Sequence, residues 1–250
     1  MNVMNSASTT PPSKTALVFG GSRGIGAAAV QRLAADGYAV AFTYVSQAGK
    51  ANELVASIEA SGAKALAIQA DSANPDAIRQ AVSQAVDCFG IVNVLVVNAG
   101  LLRMGTIDAV NLEDLDLMLD VNVRGVYLAI QAALPICEMG LVSSRSAATW
   151  LSAPAWPARA SINSRRPPLQ GWSKGWRSTW PHAESPSTNI QPGPTRTDMT
   201  AGAIDMLVER SPLKRVAEPE EIAGLVSYLA RDEARYVTGS SITIDGGLTL

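Results

Sequence analysis

A single histidine, His182, occurs in the 250 residues of this chain. That excludes metal cages built from imidazoles and makes a Ser-His-Asp hydrolase a poor fit. Cysteine is almost as scarce. Cys88 and Cys137 provide neither a disulfide framework nor a metal site, and they suit a reducing cytoplasm. Charge of one sign is lacking too: 20 basic residues face 22 acidic ones, a formal net charge of -2. Such a balance gives no electrostatic footing for nucleic acid or for an anionic membrane. No stretch reaches the ~20 unbroken apolar residues of a membrane span. Met1 to Ser13 lacks the charged-then-apolar plan of a signal peptide and reads as a disordered tail. What is present is a chain 47% hydrophobic, long enough for one large α/β domain over residues 14–250.

The organising stretch is Lys14 to Gly26, an apolar run that meets a glycine cluster and then an alanine-rich segment. Ala16 to Phe19 has strand length and no helical spacing, as in a strand buried on both faces of a parallel sheet. Gly20 allows a tight turn, Gly24 admits backbone close to a pyrophosphate, and Gly26 lets the following helix pack on the strand. Ala27 to Ala35 continues as that helix, whose exposed N–H groups and dipole favour an anion at its start. Gly20, Ser22, Arg23, Gly24, Ile25 and Gly26 are thus expected to bind the phosphates of a dinucleotide.

Tyr38 to Tyr44 reads as the second strand. A Rossmann unit reads the adenosine ribose at its end, where an acidic residue accepts from a 2′-hydroxyl and repels a 2′-phosphate. This chain has Thr43, Tyr44, Val45 and Ser46 there, with Arg23 in the turn and Lys50 just beyond. NADP(H) is therefore expected over NAD, held in part by charge-assisted hydrogen bonds. Ala51 to Ala60 is a helix and Lys64 to Gln69 a third strand, which runs into Asp71-Ser72-Ala73-Asn74-Pro75. Asp71 either caps the next helix, Asp76 to Phe89, or bonds the adenine amino group. Val92 to Val97 is a fourth, central strand ending in Asn98-Ala99-Gly100. This alternation implies right-handed crossovers and a doubly wound, Rossmann-like parallel sheet, with ligands at the carboxyl ends of its strands.

Together these residues resemble the short-chain dehydrogenase/reductases. Phe-Gly-Gly-Ser-Arg-Gly-Ile-Gly (19–26) is similar to that family's Thr-Gly-x-x-x-Gly-x-Gly, with Phe19 in place of the threonine. Asp71, Asn98-Ala99-Gly100 and Asn122 in Val-Asn-Val-Arg-Gly follow in the family's order. Gln-Pro-Gly-Pro-Thr-Arg-Thr (191–197) resembles its Pro-Gly turn, and Ile-Asp-Gly-Gly (244–247) its last strand and oligomer-forming end. The resemblance covers about residues 14–135 and 188–250. It implies binding roles for Tyr44, Ser46, Asp71, Ser72, Asn98, Ala99, Gly100, Pro192, Gly193, Thr195 and Thr197, the last covering the nicotinamide carboxamide. Hydride transfer between the nicotinamide and a small or acyl-linked carbonyl or alcohol is implied, in a cytoplasmic homodimer or homotetramer. Asn122 fits the asparagine that organises a proton-relay water, and Ser144 or Ser146 the serine that polarises the carbonyl. Within the family the pattern is similar to 3-oxoacyl-carrier-protein reductases, and also to a biofilm-dispersal protein that binds cyclic di-GMP. The latter keeps open a regulatory, non-catalytic alternative.

The family's proton donor is a tyrosine in Tyr-x-x-x-Lys, a dozen or more residues past the serine. None of the five tyrosines (Tyr38, Tyr44, Tyr127, Tyr228, Tyr236) lies there. All five tryptophans and His182 fall between Trp150 and His182, and Pro157, Pro167, Pro168, Pro181 and Pro186 interrupt what should be a long helix. Residues 155–188 are atypical in a way that a reading-frame slip explains. Codons that encode Arg165 to Trp176 in one frame encode Ser-Lys-Ala-Ala-Val-Ala-Gly-Met-Val-Lys-Gly-Leu-Ala in its neighbour, an amphipathic helix opening on the expected Ser-Lys. The same shift turns Ser178 to Thr188 into Leu-Asp-Leu-Ala-Pro-Arg-Gly-Ile-Thr-Val-Asn, and Ser161-Ile162 can hide a tyrosine codon. Lys174 is then a coincidence of the shifted frame. Beyond the break, Thr197 to Arg210 reads as a mobile lid with Met199, Met206 and Leu207 as apolar contacts. Pro219 to Ala230 is a helix with acidic Glu218, Glu220 and Glu221 at its start, and Ser240 to Ile244 is the last strand.

Overall fold

The computed structural model describes residues 14–103, 105–106, 109–134, 141–144, 159–160 and 186–249. Outside them lie the tail 1–13, Ser146, Lys174, the five tryptophans, His182 and most of the atypical interval 155–188. Among the described residues seven parallel strands form one sheet: β1 (Thr15–Phe19), β2 (Ala39–Tyr44), β3 (Ala65–Gln69), β4 (Val94–Val97), β5 (Leu141–Ser144), β6 (Ser187–Pro192) and β7 (Ser241–Ile244). Their order is β3-β2-β1-β4-β5-β6-β7, so the chain winds outward in one direction from β1 and in the other from β4. The crevice between those two strand ends is the topological switch point, where open α/β sheets bind ligands.

Every residue of β1 and β4 is buried, which follows from runs apolar on both faces. Helices α1 (Gly24–Ala35), α2 (Ala48–Ala60) and α7 (Pro219–Leu229) cover one side, where Leu33, Val40, Phe42, Ile58 and Val226 form a core. Helices α3 (Pro75–Phe89) and α5 (Gly125–Ala133) cover the other over Leu17, Phe19, Ile78, Leu95 and Val126. Burying a side chain such as Phe42 completely contributes about 1.5–3 kcal/mol. Helix α4 (Leu112–Leu119) precedes α5, and α6 (Ile204–Arg210) follows β6. Among the described residues no helix is long and apolar enough to cross a membrane.

The expected elements appear with shifted ends. β2 starts at Ala39 because Tyr38 still belongs to the close of α1. Gly37 takes φ +93 and the Tyr38 amide donates back to the Leu33 carbonyl at 3.1 Å. α2 begins at Ala48, ahead of the expected Ala51, and the fourth strand begins at Val94, after the expected Val92. Asn74 is the cap of α3: its Oδ1 accepts from the amides of Asp76 and Ala77 at 2.9 and 3.1 Å. Asp71 does not cap that helix. Its carboxylate accepts from the Ala73 amide at 2.9 Å and closes a local turn. Leu207, expected as a lid contact, is 1% exposed and belongs to the packed interior, whereas Met199 is 45% exposed.

The acidic start of α7 forms a reciprocal capping box. The Glu218 side chain accepts from the Glu221 amide, and the Glu221 carboxylate accepts from the Glu218 amide at 2.9 Å. Arg215 donates to both oxygens of Glu221, at 2.6 and 2.7 Å. The Arg215 guanidinium, then the Glu218 amide, lower the Glu221 pKa to about 2. A carboxyl lowered on folding adds stability above its unfolded value near ~4.3, and that stability disappears as pH falls through the folded value. The pair is exposed, so solvent screening keeps its contribution small. Glu221→Gln should therefore lower the thermal midpoint by about 1–4 °C at pH 7. Melting both proteins from pH 7 downward should show that gap narrowing below about pH 4 and closing near pH 2.

Candidate functional site

The turn between β1 and α1 is built from backbone contacts that only glycine permits. Gly20 has φ +75, and a Cβ there would lie 2.7 Å from the Ala99 Cα. A Cβ on Gly26 would lie 2.0 Å from the Gly20 carbonyl oxygen and 2.6 Å from the Asn98 Nδ2. The first and third glycines thus let two strand ends and a helix meet at one point. Asn98 ties the meeting together by donating from Nδ2 to the Gly20 carbonyl at 2.8 Å. The amides of Asn98 and Ala99 both donate to the Phe19 carbonyl, at 3.0 and 2.7 Å. Thr43, at the end of β2, takes the Gly20 amide on its hydroxyl and the Gly21 amide on its carbonyl, each at 2.9 Å. The sequence marks Thr43 only as a non-acidic residue at the strand end, since a strand threonine carries no signal of what faces it.

With those amides engaged, the groups left at the mouth of the crevice belong to the start of α1. Arg23 is its N-cap, in extended conformation, with no side-chain hydrogen bond to the helix, and the first turn holds no acidic residue. An α-helix start leaves four N–H groups without intrahelical partners, and together with the helix dipole they favour an anion. Ser22 and Gly24 are half-buried and Arg23 is exposed, while Ile25 and Gly26 are buried. The Arg23 and Lys50 side chains both approach Oδ2 of Asp198, at 3.6 and 3.8 Å. Tyr44 is half-buried and Ser46 exposed at the end of β2.

The structure also brings the late motifs to this crevice. Gly193 packs on the end of β7, where a Cβ would stand 2.5 Å from the Asp245 Cα, so the Pro-Gly turn and Ile-Asp-Gly-Gly are one contact. Pro192, Gly193 and Thr195 are buried, and the Thr195 hydroxyl donates to the Gly193 carbonyl at 3.0 Å. Thr197 reaches the glycine turn itself: its methyl carbon is 3.1 Å from where a Gly24 Cβ would be. Ser72 is buried, and its carbonyl oxygen lies 2.2 Å from where a Gly125 Cβ would be, so α5 enters close under the end of β3.

Asn122 sits in a π-helical turn, Asp120–Arg124, between α4 and α5. Wide turns of this kind are frequent at functional sites, and none was visible in the sequence. The Asn122 side chain is buried and clamps the segment that follows β4. Oδ1 accepts from the Leu101 amide at 3.0 Å and Nδ2 donates to the Leu101 carbonyl at 2.7 Å. Gly100 is exposed beside it, 3.5 Å from Asn122 Oδ1 measured from an added Cβ. Ser144 is the last residue of β5. Ser146 lies outside the described residues. Tyr38 is spoken for, since its buried hydroxyl donates to the Ala230 carbonyl at 2.8 Å. Burial first, and then the Asp232 and Asp36 carboxylates, raise its pKa.

A parallel sheet whose switch point carries a glycine-lined helix start defines a nucleotide-binding protein of the Rossmann kind. The family described as enoyl-(acyl carrier protein) reductase matches residues 20–249. A 3-oxoacyl-[acyl-carrier-protein] reductase of Staphylococcus epidermidis is 33% identical over 244 residues, 94% of this chain and 98% of its own. A short-chain dehydrogenase/reductase of Serratia marcescens superposes with a TM-score of 0.88 at 40% identity, over 96% of this chain and 100% of that one. A short-chain dehydrogenase of Burkholderia cenocepacia, crystallised in complex with NADP, gives 0.87 at 39% identity, over 95% and 98% of the two chains. The chain belongs to the short-chain dehydrogenase/reductase family of oxidoreductases.

Proposed function

We propose that this chain holds NADP(H) at the β1–α1 turn, and that its family reaction, on a small or acyl-linked carbonyl or alcohol, is impaired in the polypeptide as written. The observation that carries the cofactor assignment is the meeting of Arg23 and Lys50 on one oxygen of Asp198, beside a helix start with no side-chain cap. Two cations, with the non-acidic Thr43, Tyr44, Val45 and Ser46 at the end of β2, suit a dianionic 2′-phosphate. The Burkholderia relative, crystallised with NADP, supports the same choice. Ser22, Gly24, Ile25 and Gly26 would hold the pyrophosphate, and Arg23 with Lys50 the 2′-phosphate. Tyr44, Ser46, Asp71 and Ser72 would face the adenosine half, with Asn98, Ala99 and Gly100 along the floor and Pro192, Gly193, Thr195 and Thr197 over the nicotinamide.

When bound, the nicotinamide supplies or accepts the hydride. The chain's own task is to hold the carbonyl and deliver the proton. Asn122, clamped to Leu101, with Ser144 or Ser146, is assigned to that side of the crevice. The proton donor is what is missing, because no tyrosine follows Ser144 until Tyr228. The protein is assigned to the cytoplasm as a homodimer or homotetramer. An intact nucleotide turn beside a missing donor also favours a second reading, a non-catalytic regulator that binds a nucleotide of the cyclic di-GMP type.

Titrating NADPH and NADH by nucleotide fluorescence tests the cofactor assignment. NADPH should bind about ten- to a hundredfold more tightly, the worth of one or two charge-assisted phosphate contacts. Arg23→Ala should remove most of that preference and leave NADH binding nearly unchanged. Equal binding of the two dinucleotides by the unaltered protein would refute NADP(H) as the cofactor.

A further inference from the structure

Asp198 faces both cations assigned to the 2′-phosphate. Arg23 opens α1, Lys50 lies in the first turn of α2, and Asp198 arrives from the loop after β6, so three separate crossovers place them together. Arg23 Nη1 and Lys50 Nζ approach the same oxygen, Oδ2, at 3.6 and 3.8 Å, both beyond ordinary hydrogen-bond length. All three side chains are more than half exposed, at 57%, 54% and 61%. The carboxylate therefore neutralises the cation pair loosely and can be displaced.

The loop that carries it is braced. The Thr200 hydroxyl accepts from the Thr197 amide at 3.1 Å and lies within hydrogen-bond distance of the Thr195 carbonyl. Arg196 Nε donates to Glu218 at 2.9 Å, and Thr195 is buried. Thr197, one residue before Asp198, already touches the space over Gly24. Asp198 is thus presented to the cations by a built turn and not by a free side chain swinging in solvent.

We propose that Asp198 is an internal counter-anion that competes with the ribose 2′-phosphate for Arg23 and Lys50, and so sets how strongly the chain prefers NADP(H) over NAD(H). This inference rests on the NADP(H) assignment above. A phosphate dianion and a carboxylate cannot both sit on these cations without like-charge repulsion. The entering phosphate must drive Asp198 off, and the ion pairs lost in doing so are subtracted from its binding. A dinucleotide with a 2′-hydroxyl makes no such demand and leaves the contact in place. The residue is a tuner of cofactor choice that acts through the two cations, and it touches no reacting atom.

The test is Asp198→Asn, an exposed and nearly isosteric change, assayed by calorimetric titration with 2′,5′-ADP, 5′-AMP, NADPH and NADH. Removing two exposed ion pairs from the competition should tighten 2′,5′-ADP and NADPH by about two- to tenfold. 5′-AMP and NADH should stay within about twofold. The gain should shrink as salt is raised, because the Debye length falls from ~30 Å at 0.01 M to ~10 Å at 0.1 M. A gain shared equally by phosphorylated and unphosphorylated ligands would overturn the competition. No gain at all, in a protein that still prefers NADPH over NADH and loses that preference on Arg23→Ala, would overturn the counter-anion alone and leave the cofactor assignment standing. No preference in either the unaltered protein or the variant would remove the cofactor assignment and Asp198's role with it.

Discussion

Purified as written, the protein should bind NADPH yet oxidise it, with diacetyl or an acetoacetyl ester present, at least a thousandfold more slowly than a variant whose gene is restored to the neighbouring frame across residues 161–188. The size follows from what the restored segment adds. A positioned general acid contributes about 10²–10⁴ in rate, and groups that act as a unit lose nearly the whole effect when either is gone. A tyrosine at its free pKa near ~10 is a weak acid–base partner at neutral pH, so the lysine four residues on is needed as well as the ring. The chain has neither in place. Its tyrosines lie at the end of α1, the end of β2, on α5, on α7 and just before β7, and Tyr38 is both hydrogen-bonded and raised in pKa by burial. The measurement is the decay of NADPH absorbance under saturating nucleotide, which separates lost chemistry from lost binding. Steady turnover by the unaltered polypeptide within tenfold of the restored one would show that another group delivers the proton. Binding of cyclic di-GMP by the unaltered polypeptide, with no turnover, would instead favour the regulatory reading.

How much of this was legible beforehand depended on whether the cause is local. The strands β1 and β4 announce themselves as apolar runs because both of their faces are covered, and the glycines of the turn are required by backbone conformation, which sequence encodes directly. The acidic box at Glu218 and Glu221 is also local, whereas the cap of α3, expected at Asp71, is supplied by Asn74. Other features depend on residues far apart in the chain. Thr43 matters because β1 lies beside β2, and Asp198 because the loop after β6 returns to the first two helices. The π turn around Asn122 is set by its clamp to Leu101 and by the close entry of Gly125 beneath Ser72, none of which leaves a periodic trace. Leu207 shows the converse, since an apolar residue in a loop-like stretch carries no mark of whether it is lid or interior.

Gly26→Ala should be the most damaging single substitution in the turn. The new methyl carbon would stand 2.0 Å from the Gly20 carbonyl oxygen, far inside contact distance, and the obstruction is backbone that cannot rotate away. Relief requires α1 to move off β1, and two sets of contacts resist. The Gly20 carbonyl is held by Asn98 Nδ2, and the Gly20 and Gly21 amides by Thr43. Ile25, Ala29 and Leu33 on α1 are meanwhile locked in the same core as Val226 on α7. Overpacking of this kind costs about 1–3 kcal/mol, which for a chain of this size lowers the thermal midpoint by roughly 2–12 °C. Because the displaced element is the one whose N–H groups are assigned to the pyrophosphate, NADPH binding should weaken by more than tenfold even at temperatures where the variant is fully folded. Gly224→Ala is the control. It lies inside α7 with nothing within 4 Å of an added Cβ, so it should gain the helix propensity of alanine, about 0.5–1 kcal/mol, and leave NADPH binding unchanged. Thermal melts with NADPH titration of the two variants check both arms. A Gly26→Ala protein that melts and binds like the parent would mean that α1 does not pack against β1 through this contact, and the anion site at the start of the helix would lose its physical basis.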